Sequence, residues 1–152
     1  MTRRHYVVLI VIGIVLFLVI STVLARVFSV DDAERAAITS LVQDEARGDS
    51  RAMISTITGC ATSVSCRARV AQNAADLTRS GSLSILQLNT SVSFSLTGTV
   101  GTARVAWQTS TSLPIVQCIR VRRAGNALSG FHVEVLRISA RIPSDSDCPA
   151  QY

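Results

Sequence analysis

The stretch Cys118-Ile-Arg-Val-Arg122, followed by Phe131-His-Val-Glu-Val135, alternates apolar with polar side chains. A period of two is typical of a β-strand that buries one face. Three stretches upstream alternate in a similar way: residues 83–85, 92–96 and 103–107. Turns are predicted at residues 97–101 and 123–126, which contain glycine and asparagine. The second half of the chain is therefore predicted to form an antiparallel sheet of four to five strands.

Helical spacing of apolar residues precedes this alternation. A first helix is predicted to begin at Ser29, with Asp32 as a weak capping box, and to end at Gly48. Asp49 caps a short second helix, and a third is predicted over residues 67–79. Helices followed by strands indicate an α+β domain in which three helices pack on one face of a curved antiparallel sheet.

Nineteen consecutive residues from Val7 to Ala25 carry no charge. As a helix this segment is about 28 Å long, which matches the hydrocarbon thickness of a bilayer. Arg3 and Arg4 precede the segment and acidic residues follow it, so the N-terminus is predicted to be cytoplasmic. The expected organisation is a cytoplasmic stub at residues 1–5, a transmembrane helix at 6–26 and an extracytoplasmic domain at 27–152.

A signal peptide cleaved after Ala25 is the alternative to a retained anchor. The apolar run is longer than the usual signal-peptide core, which favours the anchor. Both alternatives place the remainder of the chain outside the cytoplasm.

Composition excludes one class of function. The 152 residues carry a net charge of +5, but only 16% are charged and 5% aromatic. A nucleic-acid-binding module with a basic stripe and stacking rings is therefore not expected.

Four cysteines follow the apolar segment. Outside the cytoplasm an even number predicts disulfides, and the short loop between Cys60 and Cys66 favours pairing these two. Cys118 would then pair with Cys148 and tie down the C-terminal tail. A metal site is the alternative, but CxxC spacing is missing and His132 is the one histidine after the segment, so no metal or cofactor is expected.

No motif in the chain carries a catalytic signature, and no catalytic residue is assigned. Strand parity directs His132 and Glu134 away from the core face, and Asp76 lies on a helix where most acids are solvated. The densest positive patch consists of Arg120, Arg122 and Arg123. This patch is either a solvated strand face paired with Glu134 or a surface for an anionic partner.

The order of these elements resembles the nuclear transport factor 2-like (cystatin-like) family, over about residues 30–138. The hairpin formed by Ile119-Arg-Val-Arg-Arg-Ala-Gly-Asn126 and Phe131-His-Val-Glu-Val135 looks like the terminal hairpin of that family. The resemblance implies a cone with a pocket, as in membrane-anchored members of high-GC Gram-positive envelopes, including those associated with mammalian-cell-entry transporters. Family members usually carry a tryptophan near the start of the last strand, where this chain has Phe131.

Two functions are compatible with this resemblance. The first is a single-pass, extracytoplasmic accessory or binding protein. It contacts membrane lipid through its N-terminal helix, docks an envelope protein or a small apolar ligand, and binds no nucleic acid. The alternative is a small pocket enzyme of the isomerase or dehydratase kind. An ionisable side chain at the floor of a pocket would favour the enzyme.

The topology is directly testable. A protease-cleavable tag at the C-terminus should be removed by protease added to intact cells, because the arginine-rich flank keeps the N-terminus inside. A tag that stays protected until the cells are lysed would contradict this orientation.

Overall fold

The computed structural model describes residues 3–90, 97–126, 130–150 and 152, and confirms the predicted fold class. Its helices are α1 (Arg3–Ala46), α2 (Ser50–Thr56) and α3 (Val64–Leu77), with a single 3₁₀ turn at Cys60–Thr62. Its strands are β1 (Leu83–Asn89), β2 (Thr97–Thr109), β3 (Ile115–Asn126) and β4 (Gly130–Ile138).

Helix α1 is one uninterrupted helix of 44 residues. The predicted helix start at Ser29 is therefore wrong. The sequence Arg26-Val-Phe-Ser-Val30 contains no glycine or proline, so nothing in it interrupts the helical hydrogen bonds. The first half of α1 exposes its apolar side chains, and the helix is long and apolar enough to cross a membrane. Among the side chains of α1 whose burial the structure describes, Val30 is the first that the domain buries.

Gly48 ends α1, as predicted. Its φ of 71° lies in the left-handed region, and a Cβ atom there would come within 2.5 Å of Oγ1 of Thr78. Asp49 then caps α2, because its Oδ1 accepts a hydrogen bond from the Ala52 amide at 3.0 Å. Helix α3 begins at Val64, three residues before the predicted start, with Ser63 as its cap.

The four described strands form an antiparallel meander in the order β1-β2-β3-β4. The predicted turns at residues 97–101 and 123–126 are wrong, because both stretches pair as strands. Gly101 lies opposite Val121, and Gly125 lies opposite Phe131. Cross-strand pairing outweighs the weak strand preference of glycine. The strand predicted at residues 92–96 falls outside the described residues.

The helices cover one face of the sheet, which we call the inner face. Its core is formed by apolar side chains from the helices and strands: Ile38, Leu41, Met53, Ile57, Val70, Leu77, Val105, Trp107, Ile119, Val121 and Val135. The opposite, outer face of β3 carries Arg120 and Arg122, which are exposed. The predicted parity of Ile119 and Val121 is confirmed.

Two contacts fix the direction of β3 relative to α1. Arg123 of β3 meets Glu34, whereas Gln117 meets Glu45 further along the helix. Glu45 follows Glu34 by eleven positions, which is about 16 Å of helix, and Arg123 follows Gln117 by six positions, which is about 20 Å of strand. Strand β3 therefore runs antiparallel to α1, and its Arg123 end lies nearer the apolar half of the helix.

The inner face provides a stability test. Val135→Asp places a carboxylate among core side chains and should cost about 4 kcal/mol or prevent folding. His132→Asp adds the same side chain at an exposed position of β4 and should cost less than about 1 kcal/mol. Urea unfolding of the full chain in detergent, followed by circular dichroism, measures both. Equal losses of stability would contradict the orientation of β4.

Candidate functional site

The outer face of β3 and β4 carries an exposed group of charges. Arg122 lies opposite Glu134 and donates from Nε to Oε2 at 2.7 Å, as strand parity predicts. This hydrogen bond is the main reason why the pKa of Glu134 is lowered. The ring of His132 is 64% exposed and its Nε2 lies 3.4 Å from Oε1 of Glu134. Both residues therefore face away from the core, as expected.

Arg123 does not belong to this exposed surface, which corrects the predicted patch of Arg120, Arg122 and Arg123. Its side chain is 4% exposed on the inner face, where Nε donates to Oε2 of Glu34 at 2.7 Å. Asp31 forms a second ion pair with the same guanidinium. The physical reason is parity, since Arg123 follows Val121 by two residues and points to the same side.

This buried ion pair joins α1 to β3 at the end nearer the apolar segment. Glu34 is fully buried, so both charges have lost most of their water. Such a pair gains stability only when both partners are present and well hydrogen-bonded, and removing one leaves an uncompensated buried charge. The cluster of Arg123, Glu34 and Asp31 is therefore structural, and its arginine is not available to an external anion.

Arg120 and Arg137 occupy directly opposite positions on β3 and β4. Both side chains are exposed. Among the described residues, neither forms an ion pair with an aspartate or glutamate side chain. Nη1 of Arg137 donates to the backbone oxygen of Tyr152 at 3.2 Å, which brings the end of the tail to the outer face. Burial raises the pKa of the Tyr152 hydroxyl, and the two arginines oppose that rise.

Next to Arg137 lies a cavity of about 310 Å³, which we call the basic groove. It runs between the start of α3 and β4, with the Cys60–Cys66 disulfide in its wall. Its polar lining includes Arg69, Arg137 and the hydroxyl groups of Ser63 and Ser65. None of its lining residues is an aspartate or glutamate. The sequence did not indicate this groove, because its residues come from three separate segments.

Both predicted disulfides are present. Cys60 pairs with Cys66 and Cys118 pairs with Cys148, with Cα–Cα distances of 5.2 Å and 5.7 Å. The second bond holds the C-terminal tail against the outer face, where the Ile142 amide also donates to the Val116 carbonyl at 2.8 Å. The tail therefore covers the part of the sheet that lies farther from the apolar half of α1.

A buried polar network on the inner face centres on Glu45 of α1. Gln117 donates from Nε2 to Oε1 of Glu45 at 2.9 Å, and the Trp107 indole donates to Oε1 of Gln117 at 2.8 Å. Asn73 also hydrogen-bonds this carboxyl group, but Oε2 of Glu45 has no partner in the described part of the chain. Burial raises the pKa of Glu45 to about 7, against the two side-chain hydrogen bonds that lower it.

The residues considered for catalysis are not brought together. Asp76 and His132 are exposed on different elements. Glu45, which the sequence did not suggest, is ionisable and buried, but it lines neither the basic groove nor the cavity of about 530 Å³ beside Leu113 and Ile142. Within the described residues no group of three side chains is placed to hold a metal ion.

No protein-family model, curated protein or solved structure matches this chain. What the protein does is therefore inferred from its own residues.

The buried carboxyl group of Glu45 predicts a specific pH dependence. Its pKa is about 7 in the folded chain and about 4.5 when unfolded, so the folded state binds the proton more tightly. The protonated carboxyl group therefore contributes about 3 kcal/mol to the free energy of unfolding below pH 4.5. This contribution is lost as the pH rises through 7. Glu45→Gln keeps the acceptor for Gln117 but cannot ionise, and should remove this dependence.

Urea unfolding of the full chain at pH 5 and pH 8 measures the effect. The exposed acid Asp76 provides the matched control, because Asp76→Asn should keep the slope of the parent. A parent and a Glu45→Gln variant with the same pH dependence would show that Glu45 is not the titrating group.

Proposed function

We propose that the chain is a single-pass membrane-anchored protein whose extracytoplasmic domain docks a protein partner or a small apolar ligand, without catalysing a reaction. The N-terminus is cytoplasmic in this proposal, and the domain is of the nuclear transport factor 2-like kind, with an accessory role at the bacterial cell envelope. The observation that carries the proposal is the continuity of α1, which is both the membrane-spanning candidate and a core element of the domain.

A continuous helix supports a role in which the domain is held in a fixed position relative to the membrane. The apolar half of α1 contributes nothing to the core, whereas Ile38, Leu41 and Val42 on its second half are fully buried. The domain therefore cannot rotate freely about a linker, because its own core includes the helix that leads to the membrane. A docking surface on such a domain is held at a set height and orientation, which suits an accessory protein in an envelope assembly.

The outer face and the tail provide places for docking. Val100 of β2 is 48% exposed and lies opposite Arg122, so an apolar and a charged side chain are adjacent on the outer face. The cavity beside Leu113, Pro114 and Ile142 is largely apolar and suits a small apolar ligand. The two disulfides support an extracytoplasmic location, since such bonds persist in oxidising compartments.

A small pocket enzyme is the second candidate, and Glu45 favours it. A carboxyl group whose pKa lies near neutrality is suited to general acid–base catalysis. Against this, Glu45 lies outside the cavities described above, and a general base must reach its substrate within hydrogen-bond distance. Docking is therefore the better-supported function.

Photo-crosslinking in intact cells tests the docking proposal. A photo-reactive residue at Val100 should give a discrete, saturable protein adduct, because this position faces outward on the sheet. The matched control is Ala68, an exposed residue of α3 on the other layer, which should give none. The same adducts from both positions, or none from either, would contradict docking through the outer face.

The variant Glu45→Gln separates the two candidate functions in the same assay. A docking protein keeps its adduct at Val100 in this variant, because Glu45 lies on the inner face. Loss of the adduct in a Glu45→Gln protein that is still folded would show that binding depends on the inner-face carboxyl group, and would count against docking through the outer face.

A further inference from the structure

Pairing of charges separates the arginines of the sheet into two groups. Arg122 is compensated by Glu134, and Arg123 is compensated by Glu34 and Asp31. Arg120 and Arg137 lie opposite each other, and neither forms an ion pair with an aspartate or glutamate in the described part of the chain. Like charges at directly opposite strand positions are destabilising, so a bound anion between them would relieve this repulsion.

Arg137 connects this pair to the basic groove, where Arg69 supplies a third guanidinium. Neither arginine of the groove is held by an aspartate or glutamate side chain: Arg69 donates to Oε1 of Gln72 at 3.0 Å, and Arg137 donates to the main-chain oxygen of Tyr152 at 3.2 Å. A charged acceptor such as phosphate makes a stronger hydrogen bond with a guanidinium than the amide oxygen of Gln72 does. No aspartate or glutamate side chain lines the groove and competes for the arginines.

The dimensions and donors of the groove indicate the kind of anion. Its volume of about 310 Å³ suits a small ligand and not a polymer chain. The two guanidinium groups and two serine hydroxyl groups that line the groove, together with the neighbouring Arg120, offer more donors than one carboxylate accepts. A phosphate monoester has three terminal oxygens and up to two negative charges, which fits this donor set better.

We propose that the basic groove binds the phosphate group of a small phosphorylated ligand, through Arg69, Arg137 and the adjacent Arg120. Binding at this site is independent of the docking through the outer face near Val100. It requires no catalysis and no metal ion.

The position of the groove favours a water-soluble ligand over a bilayer headgroup. From Arg26 to Glu34 the helix rises about 12 Å, and from Arg123 to Arg120 the strand adds about 10 Å in the same direction. The groove therefore lies about 20 Å above the end of the apolar segment, well beyond the screening length of about 8 Å at physiological ionic strength. A headgroup in the plane of the membrane does not reach it.

Arginine side-chain NMR tests the proposal on the full chain in non-ionic micelles. Inorganic phosphate is titrated at pH 8 against chloride at constant ionic strength, and the Nε–Hε signals are followed. The signals of Arg69, Arg120 and Arg137 should shift and saturate, whereas that of Arg51, an exposed residue of α2, should not. Linear shifts of equal size at all four arginines would mean charge screening alone and would overturn the proposal.

Two variants make the test specific. Arg137→Gln removes one charged donor and should weaken phosphate binding about tenfold or more. Arg51→Gln removes the same charge away from the groove and should leave the affinity unchanged within about twofold. Arg120→Gln replaces Arg137→Gln if the latter does not fold, and should also weaken binding. Unchanged binding in the folded groove variants would overturn the proposal.

A further experiment with lipid distinguishes a soluble phosphorylated ligand from a phospholipid headgroup. The full chain is placed in nanodiscs of phosphatidylcholine alone or with added phosphatidylglycerol, in phosphate-free buffer. The groove arginines should give the same signals in both discs. Shifts that require phosphatidylglycerol, with no response to inorganic phosphate, would overturn the assignment to a soluble ligand.

Discussion

Helix α1 has to satisfy two environments along one backbone. Its first half exposes apolar side chains on every side, as a segment in lipid requires. Its second half buries one face against the sheet, and that face includes the carboxyl groups of Glu34 and Glu45 as well as apolar side chains. Each carboxyl group meets a polar partner on β3, at Arg123 and Gln117. A shift of α1 by one turn would leave both groups buried without partners, so these two contacts set the register of the helix on the sheet.

The same contacts explain which parts of the structure the sequence could predict. Apolar residues at a spacing of 3.6 correctly predicted the helices. Apolar residues at a spacing of two correctly predicted most of the strands and the outward direction of Arg122, His132 and Glu134. Loop length and compartment were sufficient to predict both disulfides. These features depend on local patterns, or on a small number of possible pairings, and tertiary context does not reverse them.

The incorrect predictions have a common cause. In each case a charged residue or a glycine occupies a position whose structure is determined by contacts with residues remote in sequence. Arg123 continues the inward parity of Val121, and Glu45 continues the spacing of Ile38, Leu41 and Val42. Arg123 was predicted on the exposed face although its spacing pointed inward, and Glu45 was not singled out at all, because the partners of both residues are remote in sequence. Gly101 and Gly125 were likewise interpreted as turns, whereas strand pairing determines their conformation.

The buried polar groups and the exposed charged groups have different roles in this structure. The inner-face carboxyl and guanidinium groups hold α1 to the sheet. The arginines that pair with no aspartate or glutamate among the described residues, Arg120 and Arg137, lie on the outer face beside the basic groove. Under the proposed function, the domain is a rigid platform close to the membrane, and its external surfaces bind the partner. This placement depends on one structural feature: the helix that leads from the apolar segment enters the core without a break.

A distance measurement by pulsed electron paramagnetic resonance tests that claim most directly. Nitroxide labels at positions 21 and 43, both on α1, are separated by 22 residues, or about 33 Å of continuous helix. We expect a single narrow distance distribution near this value for the full chain in lipid nanodiscs. A broad distribution, or a distinctly shorter distance, would mean that the helix breaks between the apolar segment and the domain, and would contradict the account.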